Sequence, residues 1–437
     1  MKWRNWGKTQ ECRPSGTARP KSEGDVRETV LNAAKSGRTV KVVGAGHSFT
    51  DIACTDGVMV SLDDYGEVLN VDKAKGTITV QAGIRLRDLN EALAREGLGM
   101  SNLGDIAYQS IAGSISTATH GTGRNFGNIP SFVTELTMVL ADGSVLRCSP
   151  DVDERTFKAA QVGLGALGIL STVTLRCEPA FNLRAVEDAM KVDDVLEKLD
   201  DFIENNEHFE FYWFPHSSGA WTKQNNRTID PPTPVRRWKE FKNDIIMSNI
   251  AFGAVCRVGR IRPSMIPTLT RKFVAPGVGR VRRVARSDLV YTSPRLVRFS
   301  EMEYAIPREH AREAVEGIRK LIDANGFNVN FPIEFRVVKA DDILLSPAHG
   351  RETCYIAVHM YQGMDYQPYF RAVEELMMSF GGRPHWGKLH FRTAADLRPA
   401  YPRWDDFIAV RNELDPKGLF RNAYLDRVLG PPIGGGA

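Results

Sequence analysis

The sequence predicts a two-domain protein of the α+β class. A chain of 437 residues is too long for one compact core. Its first part contains short strand and helix patterns, whereas long helical patterns alternate with strands after Pro179. We therefore expect one domain at 1–180, a second at 181–380, and a C-terminal segment at 381–437 that folds back to close the site.

The elements of the first domain are predicted from periodicity and turn residues. Leu86, Leu89 and Leu93 recur at helical spacing, and Gly97 follows them as a C-cap. An Asp-Gly pair at 142–143 indicates a hairpin turn. These signals predict helices at 25–34 and 85–96, and strands at 39–43, 57–62, 67–72, 77–82, 133–140, 145–148 and 169–177.

The second domain is predicted from longer elements. Helical patterns cover 192–205, 243–258 and 308–324, and strands are predicted at 209–214, 297–306, 331–338 and 355–361. The segment 230–234 reads Asp-Pro-Pro-Thr-Pro. Because proline lacks the backbone N–H that helices and sheets use, this segment is predicted to be a surface loop.

Composition excludes several classes of protein. Hydrophobic residues make up 42% and charged residues 25% of the chain, as in ordinary globular proteins. The net charge of +4 does not indicate a nucleic-acid partner. Six scattered cysteines indicate neither a metal site nor a disulfide framework, so we expect reduced thiols and a cytoplasmic protein. No apolar run reaches the roughly 18 residues that a membrane span needs.

Two stretches of the second domain are strongly basic. Residues 271–298 hold eight basic residues against one acid, Asp288, and a second basic stretch covers 235–242. A solvated face is the usual meaning of such a pattern, and we favour it. The alternative is peripheral contact with an anionic membrane or with a redox partner.

The most informative motif is Val43-Gly44-Ala45-Gly46-His47-Ser48-Phe49, which directly follows an apolar strand. Glycine has no Cβ, so such a loop can turn several backbone N–H groups towards one anion. It is not a Rossmann fingerprint, because position 49 is not glycine. Downstream, the run 110–123 is almost wholly small and hydroxylated. Together the two segments predict the lining for a long, polar, phosphate-bearing cofactor.

These two segments resemble the flavin-binding (PCMH-type) domain of the vanillyl-alcohol-oxidase superfamily, and in detail its aldonolactone branch. The resemblance continues in the family's order through motifs at 50–57, 163–169, 385–388 and 415–422. It implies an N-terminal FAD-binding domain and an α/β cap domain over the isoalloxazine ring. It also implies an oxidoreductase that acts on a sugar lactone.

The resemblance assigns the cofactor contacts. It implies that His47 bonds covalently to the 8α-methyl carbon of FAD, although a lone histidine beside glycines is usually a turn residue. His120 is expected to shape its loop rather than to bond to anything. Ser114 resembles the family serine that faces the substrate. The expected FAD-binding residues are Val43, Gly44, Ala45, Gly46, His47, Ser48, Ser110, Gly113, Ser114, Thr117, His120, Gly121, Gly168 and Ile169.

One acid–base pair stands out in the second domain. Glu334 and Arg336 are two residues apart in a predicted strand, so their side chains share one face. By itself such a pair most often forms a cross-strand salt bridge on a solvated face. The resemblance implies instead that it binds the substrate, with Lys388 near the flavin. The expected catalytic residues are Glu334, Arg336, Lys388, Ser114 and His359.

The resemblance also implies a reaction, the oxidation of L-gulono-1,4-lactone or a close relative at C2. Hydride would pass from C2 to flavin N5, and the 2-keto lactone would enolise to ascorbate or an analogue. Glu334, His359 or a water could serve as the base. An alditol oxidase on the same scaffold and a catalytically silent flavoprotein are the rival interpretations. The electron acceptor, oxygen or a cytochrome or quinone carrier, stays open.

Overall fold

A computed structural model describes residues 2–234, 250–277, 279–293 and 296–432. Its N-terminal part combines short strands with short helices. The strands are β1 (Trp3–Arg4), β2 (Glu11–Cys12), β3 (Gly16–Ala18), β4 (Val40–Val43), β5 (Val58–Ser61), β6 (Val68–Asp72), β7 (Thr77–Gln81), β8 (Leu98–Gly99), β9 (Val133–Val139), β10 (Val145–Cys148), β11 (Ile169–Arg176) and β12 (Glu178–Pro179). The helices are α1 (Glu23–Lys35), α2 (Leu86–Arg95), α3 (Ile111–Ser116) and α4 (Glu154–Ala160).

Local sequence explains where these elements begin and end. Ser22 caps α1 by accepting a hydrogen bond from the Asp25 N–H, and the two residues form a capping box. The leucine stripe of α2 is buried, and Gly97 follows the helix with φ of +73°, a value that favours glycine. The predicted helices and strands of this part are confirmed, with ends moved by at most two residues.

Two sheets carry the N-terminal part. A parallel sheet has the order β3-β5-β4, and an antiparallel sheet has the order β10-β9-β11-β7-β6. A continuous core of buried side chains joins them, including Val26 of α1, Val60 of β5 and Val80 of β7. The loop Gly44–Ser48 starts where β4 ends, so the sheet fixes the position of this loop.

The second part is built on one antiparallel sheet of eight strands, in the order β16-β13-β15-β14-β18-β19-β17-β20. The strands are β13 (Asn182–Lys191), β14 (His208–Trp213), β15 (Gly219–Thr228), β16 (Val281–Arg286), β17 (Phe299–Pro307), β18 (Ile333–Val338), β19 (Thr353–Tyr361) and β20 (Arg383–Pro384). The helices are α5 (Val192–Glu197), α6 (Leu199–Glu204), α7 (Phe252–Ile261), α8 (Ile266–Leu269), α9 (Ser287–Tyr291), α10 (Ala311–Asn325) and α11 (Gln367–Ser379).

Alternate residues along each strand of this sheet have side chains on opposite faces of the sheet. Phe335 and Val337 of β18 belong to the same buried core as Ile318 of α10 and Val373 of α11. The residues between them in β18 point to the other face of the sheet, because side chains alternate along a strand. That other face is the one that meets the N-terminal part.

In the second part, one predicted helix is divided in two, and some predictions fall outside the described residues. The helix predicted at 192–205 is two helices, because Lys198 leaves helical geometry with φ of −101° and ψ of 18°. The helix predicted at 243–258 falls partly outside the described residues, and α7 continues to Ile261. The basic stretch 235–242 lies outside them altogether. Within 271–298, β16 forms the edge of the large sheet, where exposed Arg282 pairs with Asp188 at 2.7 Å.

The C-terminal segment returns to the N-terminal part. Its helices α12 (Ala394–Leu397), α13 (Trp404–Leu414) and α14 (Ala423–Leu429) pack into the N-terminal core. The carbonyl of Leu419 accepts a hydrogen bond from the Val40 N–H of β4 at 2.8 Å. The loop 231–234 is exposed, which confirms the predicted surface loop.

Candidate functional site

A cleft opens where β4 ends. It has a volume of about 840 Å³ and is lined by the loop Gly44–Ser48, by α3 and by the turn that contains Gly165 and Gly168. Glycine is required at position 44, because a Cβ there would lie 2.0 Å from Ser110 Oγ. The loop and α3 therefore approach closely and expose backbone to the cleft.

The N–H groups of this loop have no acceptor among the described residues. In the described part of the chain, none of the N–H groups from Gly44 to Ser48 donates to a protein acceptor. Backbone N–H groups rarely stay unpartnered, and a run of them beside a cavity suits an anion such as a phosphate. The cleft therefore fits the phosphate-bearing cofactor predicted from the sequence.

His47 projects into the same cleft. Its ring stacks on Trp6 with the ring centroids 5.5 Å apart, and no described residue hydrogen-bonds to either ring nitrogen. Burial lowers the pKa of His47 to about 4, and the positive charges of Arg85 and Lys388 add to this effect. At neutral pH the imidazole is uncharged and keeps a free nitrogen lone pair.

A second cavity, of about 820 Å³, lies between the large sheet and the N-terminal part. Gln109 lines both the cleft and this cavity, so the two are adjacent. The cavity is rich in ionisable groups from all three parts of the chain: Asp105, His120, Glu301, Glu303, Glu334, Arg336, His359, His385 and Lys388.

Glu334 and Arg336 lie on the cavity side of β18 and are buried. Arg336 pairs with Glu334, with Asp105 at 2.5 Å, and with Glu210 at 2.8 Å, the last without hydrogen-bond geometry at Nε. Burial acts to lower the pKa of Arg336, but the carboxylates outweigh it and raise that pKa well above its usual value. Burial raises the pKa of Glu334. The pair is not a salt bridge on a solvated face, which corrects that alternative.

Lys388 and His359 meet at Glu301 of β17. Lys388 Nζ pairs with one oxygen of Glu301, and His359 Nε2 lies 3.4 Å from the other. Burial acts to raise the pKa of Glu301, but Lys388 and His359 lower it to about 2. Burial acts to lower the pKa of Lys388, whereas Glu301 raises it. Lys388 and Glu301 are therefore both ionised at neutral pH.

His120 lies in the cavity wall, and its Nδ1 also hydrogen-bonds to the carbonyl of Gly121 in its own loop at 2.9 Å. Its Nε2 is 3.2 Å from Glu303 Oε1, and its ring stacks on Tyr355 at 3.6 Å. His385 Nδ1 accepts a hydrogen bond from the Gly387 N–H at 3.0 Å, which leaves the ring proton on Nε2. A protonated nitrogen does not coordinate a metal ion. Within the group His120, Glu303 and His385, a hydrogen bond joins His120 to Glu303, and His385 lies beside them.

Most residues predicted from the sequence line one of these two spaces. The cleft is lined by Val43, Gly44, Ala45, Gly46, His47, Ser48, Ser110, Gly113, Thr117 and Gly168. The cavity is lined by His120, Glu334, Arg336, His359 and Lys388.

Three predicted residues line neither space. The Ser114 hydroxyl donates to the Ser110 carbonyl at 3.0 Å, because its position on α3 faces the core. Ile169 begins β11 with its side chain fully buried in the core. At Gly121 a Cβ would lie 2.2 Å from Asn102 Oδ1, so this glycine allows two loops to pack closely.

The sequence analysis missed Asp105, Glu210, Glu301 and Glu303. A signal existed for three of them: Glu210 is an acid within an aromatic strand, and Glu301 and Glu303 alternate within another strand. Alternation places Glu301 and Glu303 on one face, as it does for the Glu-x-Arg pair. Asp105 gave no signal because it lies in an irregular loop, and the fold alone brings it to Arg336.

Comparisons with known proteins are consistent with a cofactor in the cleft and a substrate in the neighbouring cavity. Residues 14–149 match the family model for an FAD binding domain, and residues 173–428 match the model for D-arabinono-1,4-lactone oxidase. The chain is 45% identical to L-gulono-1,4-lactone dehydrogenase of Mycobacterium tuberculosis over 429 residues, which cover 98% of this chain and 99% of that protein. It is 36% identical to L-gulonolactone oxidase of Bos taurus over 435 residues, which cover 98% of each. A solved structure of a solvent-stable cholesterol oxidase superposes with a TM-score of 0.84 at 19% identity, covering 97% of this chain and 96% of that one, and so shares the fold.

Proposed function

Since the chain belongs to the D-arabinono-1,4-lactone oxidase family, we propose that it oxidises an aldono-1,4-lactone with FAD as its cofactor. The substrate is L-gulono-1,4-lactone, which is oxidised at C2 to a 2-keto lactone that enolises to ascorbate. The observation that carries this proposal is the buried Glu334–Arg336 pair, in a cavity next to the cleft with free N–H groups. A sugar lactone offers such charged groups several hydroxyls and brings no charge of its own.

The residues of the cleft fit FAD. The free N–H groups of Gly44–Ser48 would hold the pyrophosphate, and Ser110, Gly113 and Thr117 would line its path. When bound, FAD supplies the acceptor for the hydride that leaves the substrate. We propose that residues 1–180 bind the cofactor, residues 181–380 cap it, and residues 381–437 complete the site, because the buried side chains form two large separate cores.

We propose distinct tasks for five ionisable groups of the cavity. Arg336 orients the hydroxyl groups of the lactone and stabilises the negative charge that develops on its 2-oxygen. Glu334 takes the proton of the 2-hydroxyl, because burial raises its pKa and makes it a stronger base. Glu301 is held ionised by Lys388, and His359 is held between Glu301 and a backbone carbonyl. Lys388 supplies a second cation, near enough to the cleft to lower the pKa of His47.

We also propose that His47 bonds covalently to FAD, since its uncharged ring faces the cleft with a free lone pair. The test is acid precipitation of the purified yellow protein. We expect yellow colour in the washed wild-type pellet and in the pellet of His310→Ala, a control at a partly exposed histidine that lines neither the cleft nor the cavity. The flavin of His47→Ala should appear in the supernatant. Flavin that washes out of the wild-type pellet would contradict the covalent bond.

The reaction itself is tested by mixing the anaerobic holoenzyme with L-gulono-1,4-lactone and following the flavin absorbance. We expect rapid bleaching in the wild type and bleaching about 100-fold slower in Glu334→Ala. Glu313→Ala, at an exposed glutamate of α10, is the matched control and should behave as the wild type. Undiminished turnover of Glu334→Ala would refute the site, and faster bleaching by an alditol would refute the substrate.

The electron acceptor in this proposal is oxygen or a cytochrome or quinone carrier. An oxygen electrode and a cytochrome c reduction assay separate the two. We propose a cytoplasmic enzyme whose contact with membranes is at most peripheral. Exposed Ile261 and Phe273 stand among exposed Arg262, Arg271 and Lys272, a combination that supports contact with anionic lipid. Among the described helices, none is both long enough and apolar enough to cross a bilayer.

A further inference from the structure

A short hairpin at the N-terminus covers the cleft. The hairpin consists of β1 and β2, and Trp3 at its start lines the cleft. The Trp6 N–H donates to the Gly46 carbonyl at 2.8 Å, and the Asn5 side chain donates to the Ser48 carbonyl at 2.9 Å. Residues 3–12 therefore form a flap that rests on the glycine loop.

Two cysteines, Cys12 and Cys54, lie close to each other where this flap joins the first sheet. In the parallel pairing of β3 with β5, Gly16 stands opposite Val58. The Ser15 N–H continues this pairing, since it donates to the carbonyl two residues before Val58 at 2.9 Å. Cys12 lies three residues before Ser15, and Cys54 lies two residues before Asp56, so both cysteines are near this hydrogen bond.

The thiols of this pair interact and are within reach of solvent. Cys54 interacts with the Cys12 thiol, and neither is part of a disulfide. Both are partly exposed, whereas the four other cysteines of the chain are buried. Burial raises the pKa of Cys54 to about 12, which disfavours its thiolate.

We propose that Cys12 and Cys54 form a reversible disulfide that fastens the flap over the cleft, with a peroxide as the oxidant. The Cys12 sulfur attacks one oxygen of hydrogen peroxide, which gives a sulfenic acid and one water. The Cys54 sulfur then displaces the sulfenic oxygen, which leaves as a second water, and the S–S bond forms. Two thiols are oxidised, each losing one proton, and one peroxide is reduced by two electrons. A dithiol reverses the reaction by exchange.

The bond would act directly on cofactor exchange. It closes a loop of chain from Cys12 to Cys54 that contains β4 and the glycine loop. With Cys12 bonded to Cys54, the end of the flap is fixed to the chain that follows the glycine loop. The flap then cannot move away from the cleft as a unit. Where no covalent bond to His47 holds the cofactor, the reduced protein therefore exchanges FAD and the oxidised protein retains it. The formation of the bond does not depend on the proposed function, but its effect on FAD does.

The bond is tested on the purified holoenzyme by denaturation, alkylation and intact mass. We expect six alkylated cysteines after treatment with dithiothreitol and four after treatment with hydrogen peroxide, with a peptide that links Cys12 to Cys54. Cys12→Ser and Cys54→Ser should each keep five alkylated cysteines after brief peroxide treatment. Six alkylated cysteines in the treated wild type, a different linked pair, or a sulfinic acid at Cys12 would overturn the proposal.

The consequence is tested in the His47→Ala background, where FAD is released without breaking a covalent bond. We expect peroxide-treated protein to release FAD about tenfold more slowly than reduced protein, and dithiothreitol to restore the faster rate. Adding Cys12→Ser should make the two rates equal. Equal rates with the disulfide present would overturn the retaining role. If the protein bound no FAD, the mass measurement would still decide whether the bond forms, so the two failures are distinguishable.

Discussion

Arg336 is surrounded by three carboxylates in the cavity. Its guanidinium contacts Asp105 from a loop, Glu210 from β14 and Glu334 from β18. A planar group with five N–H donors can separate three carboxylates in a way that a point charge cannot. The geometry of this one side chain therefore determines how the Glu334 carboxylate is presented to a substrate.

Replacing Arg336 by lysine keeps the positive charge but removes the planar guanidinium and its several N–H donors. For Arg336→Lys we expect kcat/KM for L-gulono-1,4-lactone to fall by about 100-fold, since lysine cannot donate in several directions at once. Steady-state kinetics measure the effect. Arg282→Lys, at the exposed edge strand β16, should leave kcat/KM unchanged. A loss in Arg336→Lys no larger than in this control would show that charge alone is sufficient.

The lowered pKa of Glu301 predicts how the free energy of unfolding depends on pH. Its pKa is about 2 in the folded protein against an ordinary 4.5, so its ionised form favours the folded state above pH 4.5. This contribution is lost as pH falls from about 4.5 to about 2. We expect Glu301→Gln to lower the free energy of unfolding by about 3 kcal/mol at pH 7, and the gap from the wild type to close near pH 2. Urea unfolding at pH 7, 5 and 3 measures it.

The same titration of Glu313→Gln provides the control, because Glu313 is exposed on α10. This variant should follow the wild type at every pH. A gap for Glu301→Gln that stays constant from pH 7 to pH 3 would mean that the substitution acts through packing rather than through charge.

At the scale of elements, the cleft depends on how closely the glycine loop approaches α3. The loop has no side chain at position 44, where a Cβ would meet Ser110 Oγ. The cavity depends on alternation, since Glu301 and Glu303 of β17 share one face of the sheet while Met302 lies in the core with α10 and α11. Each element thus offers backbone or charge on one side and apolar packing on the other.

Gly44→Ala tests the approach of the loop to α3. We expect a folded protein with little or no bound FAD, because the added methyl group must push the loop and Ser110 apart. The ratio of flavin absorbance to protein absorbance after purification measures this. Gly24→Ala, in the first turn of α1, is the control and should keep full flavin content, because a Cβ there meets nothing closer than 3.5 Å. Full flavin content in Gly44→Ala would contradict the proposed position of the cofactor.

At the scale of the whole molecule, the C-terminal segment contacts the chain on both sides of the glycine loop, Gly44–Ser48. The C-terminal Asn422 side chain donates to the carbonyls of Asp51, Ile52 and Cys54 at 3.3, 3.0 and 2.8 Å. Lys41 of β4 donates to the Phe420 carbonyl at 3.4 Å. The C-terminal segment is therefore part of the cofactor domain in space, although the cap separates the two along the chain.

Asn422→Ala removes one group that bridges three carbonyls. We expect the free energy of unfolding to fall by about 2 kcal/mol and flavin to be lost at lower temperature, since buried carbonyls lose their donor. Thermal unfolding followed by circular dichroism and by flavin fluorescence measures both. Asn325→Ala, at the exposed end of α10, removes a single bond and should change little. If the flavin were released at the wild-type temperature, the C-terminal segment would not be stabilising the glycine loop.

Local signals predicted much of the cofactor cleft and part of the cavity. Gly44 and His47 stand in a contiguous motif, and Glu334 and Arg336 are two residues apart in one strand, so their proximity follows from chain geometry. Asp105, which pairs with Arg336, was not predicted, because no local pattern states which loop reaches a given strand. The role of Ser114 stays a prediction, since its hydroxyl donates to the Ser110 carbonyl at the start of α3 and lines neither space.

The sequence by itself determined the two-domain α+β organisation, the glycine loop and the acid–base pair, because periodicity and backbone freedom act over a few residues. Only the tertiary structure decided the protonation and pairing of the cavity. His120, Glu303 and His385 come from three distant parts of the chain, and burial changes the pKa values of the groups around them. Those properties depend on which groups share a low-dielectric space, and that is set by packing between segments far apart in sequence.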